Sequence, residues 1–234
     1  MALGRARRLL AVGGAALGAV AAQPLGAAAA AVAVDSAGAT EVEAGDWSDV
    51  YWEHELQRRP AHEWYNVSWP QVRHLFDAEA SLLHVGCGTS SWPAAMAAEG
   101  REAVHLDGSA ALVAELRRRQ PELRFEVADA KALPFDDNSF DAVAEKGLLD
   151  ALLLTSLADA TQAALEMYRV LRPGGSLVSL TAYGGPGEEG PVLGAAPWAT
   201  QVYADVLPTE SGHGPVGAYV CTKSDGGGAR DSLA

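Results

Sequence analysis

The sequence predicts an α/β protein with a mainly parallel sheet and helices on both of its faces. Three observations predict it. Short apolar runs alternate with helix-compatible stretches between residues 81 and 182, the signature of βαβ units. The first run ends in a glycine turn, Gly86-Cys87-Gly88, as a strand does where it hands over to a helix. The 234 residues are 49% hydrophobic and 20% charged, which suits one domain of ordinary size with extra segments and excludes a wholly disordered chain.

The elements follow in order. Residues 46–76 are rich in tryptophan, and Trp69, Val72, Leu75 and Phe76 recur at helical spacing. The run 81–85 is the first buried strand. Pro93 opens the next helix and Gly100 closes it, the usual asymmetry of the two ends. Residues 103–106 form a second strand that stops at Asp107, and Ser109 is placed to cap a helix running through Arg119. Residues 123–127 and 140–144 read as the third and fourth strands. Over 157–171, Leu157, Thr161, Ala164, Leu165, Tyr168 and Leu171 share one helical face. Arg172-Pro173-Gly174-Gly175 is a stop and turn before a fifth strand at 177–181. A Gly/Pro-rich stretch (183–197) precedes two further strands, 201–206 and 218–222. Residues 224–234 read as a disordered tail.

Residues 1–34 are a different kind of sequence. They hold Arg5, Arg7 and Arg8 and no acid; taking those three charges from the chain total of −13 leaves −16 on 35–234. A basic start leads into an uncharged run that ends near Ala31-Val32-Ala33. A secretory signal and a mitochondrial presequence both fit this pattern, and either is removed before the protein works. A retained anchor fits least, because the run is mostly Ala and Gly and is broken by Gln23-Pro24. No stable membrane insertion is therefore expected after processing.

The acidic balance argues against a nucleic-acid partner held through phosphates, and suits a basic protein partner or simple solubility. Two cysteines, Cys87 and Cys221, allow at most one bridge, and no Cys/His spacing points to a metal.

The chemistry is expected beyond the carboxyl ends of the strands. The glycines at 86 and 88 let backbone approach a ligand closely. Asp107 lies 19 residues after Gly88, where a carboxylate accepts hydrogen bonds from ribose hydroxyls. Asp129 and Ala130 end the third strand, within reach of an adenine amine. Leu133-Pro134-Phe135 leads into the fourth strand, and Arg169-Val170-Leu171-Arg172-Pro173-Gly174-Gly175 into the fifth.

In this order, over residues 80–182, these motifs resemble the class I S-adenosylmethionine-dependent methyltransferases, which implies a Rossmann-like seven-strand sheet and S-adenosyl-L-methionine as cofactor. The flanks narrow the resemblance. Tyr51-Trp52-Glu53, Glu63-Trp64-Tyr65 and Glu145-Lys146-Gly147-Leu148-Leu149-Asp150-Ala151-Leu152 are similar to strings in the methyltransferase-like lysine methyltransferases of elongation factor 1A and citrate synthase. The resemblance implies a methyltransferase domain over 35–223 acting on a protein lysine. It implies a cofactor site from Trp64, Tyr65, Gly86, Cys87, Gly88, Asp107, Asp129, Ala130 and Glu145. Glu145 would stand near the acceptor amine, with Asp150 as second candidate. It also pulls toward the mitochondrion or the cytoplasm, whereas the bunched arginines and the apolar run of the leader favour the secretory route; the mitochondrion is the expectation.

The chain departs from the family pattern at three places. His84 stands where an acid precedes the first glycine, Ser90 where a third glycine is usual, and Leu148 where the lysine methyltransferases carry threonine. Rival functions are a small-molecule methyltransferase of quinone or sterol type and a non-catalytic Rossmann-type nucleotide-binding or interaction module. Plainer roles are expected elsewhere: hydrogen-bonded core histidines at His84 and His105, and a small side chain rather than a nucleophile at Cys87; Glu145 and Lys146 fit a surface pair and, at a strand's carboxyl end, a site role equally.

Overall fold

The computed structural model describes residues 49–59, 62–181, 190–207 and 216–225. The leader (1–34) and residues 226–234 of the tail lie outside the described residues. The described elements belong to one compact unit, residues 39–234.

Helix α1 (Asp49–Arg58), a 3-10 turn (Trp64–Asn66), α2 (Trp69–Val72) and a second 3-10 turn (Arg73–Leu75) precede the sheet. Then come β1 (Leu82–Val85), α3 (Trp92–Ala98), β2 (Ala103–Asp107), α4 (Ala110–Arg119), β3 (Arg124–Val127), β4 (Phe140–Lys146), α5 (Leu148–Leu153), α6 (Leu157–Val170) and β5 (Leu171–Thr181). The short helix α7 (Gly190–Leu193), β6 (Trp198–Leu207) and β7 (Val216–Lys223) complete the chain.

The seven strands lie in the order β3-β2-β1-β4-β5-β7-β6. The first five run parallel, whereas β7 is antiparallel to both β5 and β6. All four residues of β1 are buried, as expected of a parallel strand covered on both faces. One face packs Leu83, Val85, Leu106 and Val143 against Ala160, Ala163, Ala164 and Met167 of α6. The other packs Leu82, Ala144 and Leu180 against Trp69, Val72, Trp92 and Met96. Strand order reverses between β1 and β4, so a crevice opens at their carboxyl ends.

Local signals act as the sequence suggests. Pro93 sits in the first turn of α3, and Gly100 follows it with φ +74°. Ser109 and Ser156 accept hydrogen bonds from Leu112 N and Asp159 N, capping α4 and α6 at 3.1 Å each.

Several boundaries differ. The buried face of α6 is Ala160, Ala163, Ala164, Met167 and Val170, not the face through Leu157, Thr161 and Leu165. Alanines let the helix axis come close to the sheet, and Leu157 is left 59% exposed. β5 begins at Leu171, opposite Phe140, and bulges before Ser176 pairs with Ala142. The turn within it is held from below: Arg172 donates to Asp141 at 2.7 Å, and Asp141 also accepts from Ser81 Oγ at 2.6 Å. α5 is an element the periodicity does not announce. The Leu133-Pro134-Phe135 motif is fixed by Arg169, which donates to the carbonyls of Leu133 (2.9 Å) and Phe135 (2.8 Å). Two motifs that read separately in the sequence are thus one structural clasp.

Candidate active site

At the carboxyl ends of β1, β2, β3 and β4 lies a cavity of about 660 Å³, within the range of small-molecule and cofactor sites. Trp64, Tyr65, Gly86, Cys87, Gly88, Asp107, Asp129, Ala130 and Asp150 all line it.

The β1–α3 turn supplies its floor. Gly86 and Gly88 take φ of +65° and +51°, a region that costs other residues steric strain. A Cβ at Gly86 would come within 3.0–3.2 Å of Leu148, and one at Gly88 within 3.2 Å of Trp52. Asp107, at the end of β2, is 6% exposed. Its Oδ2 accepts from Gly88 N at 3.0 Å and its Oδ1 from Ser109 N at 3.1 Å. The glycine turn and the carboxylate therefore meet across a single hydrogen bond, close enough to serve one nucleoside. Asp129 is exposed at the rim and accepts from Lys131 N at 2.9 Å.

Cys87 turns away into an apolar cluster with Leu112, Val113 and Phe125. Burial, reinforced by Asp107, pushes its thiol well above the ordinary range, so it stays protonated and is no nucleophile. Cys87 and Cys221 are both buried and unbridged.

The opposite wall comes from farther apart. Asp150 of α5 is 3% exposed. Its Oδ2 accepts from Tyr65 OH at 2.5 Å and its Oδ1 from Thr181 Oγ1 at 2.7 Å. Tyr65 has φ +60° and Asn66 φ +53°, so this turn is held in a strained conformation. Gly147 makes room for it: a Cβ there would lie 2.7 Å from Tyr65 OH.

Glu145 is not among the lining residues. It is fully buried and its carboxylate turns to the start of α5, accepting from Leu148 N (2.9 Å), Leu149 N (3.3 Å) and Ser179 Oγ. Burial pushes its carboxyl up to about 8; Ser179 and the two amides oppose that shift, while Asp150 adds to it. These contacts place it behind α5, where it shapes the helix that presents Asp150.

The expected Glu145–Lys146 surface pair is corrected: both residues are buried, and they leave β4 on opposite faces because strand side chains alternate. Lys146 pairs with Glu63 instead and stands 4.5 Å over the Trp92 ring. Burial holds its amine well below the ordinary lysine range.

His84 and His105 are core residues, paired in register on β1 and β2. Their Nδ1 atoms lie 3.3 Å apart, so one ring donates to the other. Burial lowers both, His105 to about 4. Among the described residues His84 Nε2 has no hydrogen-bond partner, and its ring stacks on Trp92 at 5.3 Å.

Sequence reasoning did not single out Trp52, Ser109, Lys146, Leu148 and Leu154 as lining residues, or Thr181 as the partner of Asp150. Leu148 had a legible signal, since it lies in the string Glu145–Leu152 that follows a strand's carboxyl end. Thr181 becomes visible only through register, since Leu180 lies opposite Lys146. Among the described residues no group of three or more His, Cys, Asp or Glu side chains is placed to hold a metal, and no helix is long and apolar enough to cross a membrane.

Residues 83–179 match the sequence profile of a methyltransferase domain family. Demethylmenaquinone methyltransferase of Beutenbergia cavernae is 45% identical over 97 residues, covering 42% of this chain and 38% of that protein. EEF1A lysine methyltransferase 4 of Bos taurus is 33% identical over 153 residues, covering 56% of this chain and 60% of that protein. The chain thus spans roughly two fifths to three fifths of the length of these two relatives. The N-methyltransferase NodS of Bradyrhizobium japonicum, solved with S-adenosyl-L-homocysteine, superposes with a TM-score of 0.58 at 14% identity, over 74% of this chain and 97% of its own. That likeness speaks to the fold, a seven-strand, mainly parallel Rossmann-like sheet.

Proposed function

Taking as premise that residues 83–179 belong to the class I S-adenosylmethionine-dependent methyltransferases, we propose that this chain methylates a lysine side chain of a protein. The carrying observation is Asp150. It is a buried carboxylate in the wall of the cofactor cavity, set by Tyr65 and Thr181 and flanked by aromatic side chains. A second support is the reach of the likeness to the EEF1A enzyme. It covers 56% of this chain, more than the 83–179 stretch alone accounts for.

The cavity fits the cofactor. Its glycine floor has no room for a Cβ, and a buried carboxylate faces it. S-adenosyl-L-methionine supplies an electrophilic methyl group on a sulfonium. Asp107 would accept hydrogen bonds from its ribose hydroxyls, and Asp129 would stand at its adenine end. Trp64 and Tyr65 offer ring faces to a cation. Asp150, already held by two hydroxyls, accepts a further hydrogen bond from the acceptor amine and orients its lone pair. The enclosed apolar wall disfavours the charged ammonium. Positioning is thus most of what the protein does. The chain's charge of −13 suits a basic protein surface as substrate.

A second reading, transfer to a quinone-type small molecule, is favoured by two observations: the 45% identity to a demethylmenaquinone methyltransferase over 97 residues, and Val127 and Leu154 at the cavity lining, 45% and 51% exposed. One experiment separates the two. The chain is incubated with methyl-labelled cofactor and a cell lysate, and label is counted in the organic extract and in protein digests. Methyl-lysine in a digested peptide supports the proposal. Label confined to the organic phase overturns it. We further infer that residues 1–34 address the chain to mitochondria; a fluorescent fusion of 1–45 that enters the secretory route would reverse that assignment.

A further inference from the structure

Beside the cavity, three polar side chains from distant segments converge, Ser90 and Lys146 buried and Glu63 half-buried. Glu63 enters the 3-10 turn that carries Trp64 and Tyr65, Ser90 follows the glycine turn, and Lys146 ends β4. Ser90 Oγ donates to Glu63 Oε1 at 3.0 Å and accepts from Lys146 Nζ at 3.1 Å and from Trp92 N at 3.2 Å. One donor and two acceptor sites are all that a hydroxyl has, and all three are used. Lys146 Nζ has three protons and three partners: Glu63, Ser90 and the Val67 carbonyl. Glu63 also accepts from Ser91 N at 3.0 Å and from Ser91 Oγ. Lys146 Nζ is thus engaged on three sides within the cluster.

Glu63 directly precedes Trp64 and Tyr65, whose side chains line the cavity. Trp64 Nε1 lies 3.9 Å from the Cβ position of Gly88, and Tyr65 OH is 2.7 Å from that of Gly147. Each of these glycines neighbours a cluster residue: Gly88 is two residues before Ser90, and Gly147 follows Lys146. The turn bearing them has two consecutive non-glycine residues at positive φ, a strain that persists only when surrounding contacts over-determine it.

We propose that Glu63, Ser90 and Lys146 form a latch that positions Trp64 and Tyr65 over the cavity, and that serine replaces the expected third glycine because the latch requires its hydroxyl. A glycine at 90 would leave Lys146 and Trp92 N each short of a partner, which is costly in a buried place. The three are positioning residues: they act on the cofactor and acceptor through the aromatic wall. Only the ligand-binding readout of the following test rests on the methyltransferase reading.

The test uses the full chain labelled with fluorotryptophan, with the Trp64 resonance assigned by Trp64→Phe. Ser90→Ala and Lys146→Met are each expected to shift and broaden that resonance in the free protein. Each should weaken S-adenosylhomocysteine binding about tenfold, the loss of one buried charge-assisted hydrogen bond. The double variant should bind no more weakly than Lys146→Met alone, because both changes open the same latch. Ser139→Ala, at a hydroxyl outside the cavity lining that donates to the Asp136 carbonyl at 2.6 Å, should leave both readouts unmoved. An unmoved Trp64 resonance, or additive losses in the double variant, would overturn the proposal. So would loss of cooperative unfolding in both single variants, which would make these residues general core stabilisers. Failure of the unsubstituted chain to bind S-adenosylhomocysteine would sink the methyltransferase reading, while the Trp64 resonance of the free protein still reports on the latch.

Discussion

The two sides of the cavity are built in opposite ways. On the nucleoside side, the bond between Gly88 and Asp107 spans 19 residues of sequence, a single strand–helix–strand excursion. On the acceptor side, Tyr65 and Asp150 are 85 residues apart, and Lys146 and Val67 are 79 apart. The first side closes with one βαβ unit. The second exists only when the segment before the sheet folds back over β4, so it demands a longer loop closure and a strained turn. The contrast separates a motif that a chain can carry locally from a surface that must be assembled.

The strongest way to break this comparison is Asp107→Ala. Two amide hydrogen bonds to a carboxylate are lost, each worth about 1.5–3 kcal/mol, along with the ribose acceptor. Calorimetry should show S-adenosylhomocysteine affinity falling by about 100-fold or more; unchanged affinity would mean that the nucleoside side lies elsewhere. Asp150→Asn addresses the other side alone. Methyl transfer should slow by about 100-fold, the usual scale for a positioned proton acceptor, while cofactor-product affinity stays within about twofold of the original. A parallel fall in both would merge the two sides into one.

A smaller effect comes from Gly147→Ala, which strains a residue at φ +74° and drives a methyl into Tyr65 OH. Gly100→Ala is its control, with the same φ and nothing within 4 Å of the added carbon. Both should lower stability by about 1–3 kcal/mol through backbone strain, but only the first should also lower turnover. Equal turnover in the two variants would show that Tyr65 does not depend on that contact.

The last effect, on pH dependence, touches stability and leaves both sides of the cavity in place. Glu145 is raised in the folded state by burial, to about 8. A carboxyl raised on folding favours its neutral form, so the stability it contributes is complete below the ordinary carboxylate range and is lost as pH rises through about 8. Glu145→Gln should therefore flatten the decline of the thermal midpoint between pH 5 and 9 (about four pH units, spanning that transition). An unchanged slope would mean that the carboxyl is ionised throughout and bound as a cap to α5.

Legibility followed the same division. The strand and helix order, the glycine turn and Asp107 were readable because each rests on local chemistry: an apolar run, a positive φ, a carboxylate at a strand end. The face of α6 was misread, since alanines pack as well as leucines when the axes are close, and a hydrophobicity pattern does not weigh that. Glu145 and Lys146 read as a unit in one string, yet they end on opposite faces of β4 with different partners.

By itself, the sequence determined the alternation of elements, the sheet's parallel core and the nucleoside end of the cavity, because backbone preferences and side-chain periodicity act within a few residues. Only the tertiary structure decided which carboxylate lines the cavity, what Ser90 bonds to and what Lys146 binds. Those outcomes depend on strand register and on the fold-back of residues 62–67, where partners lie within 3 Å in space and some tens of residues away along the chain.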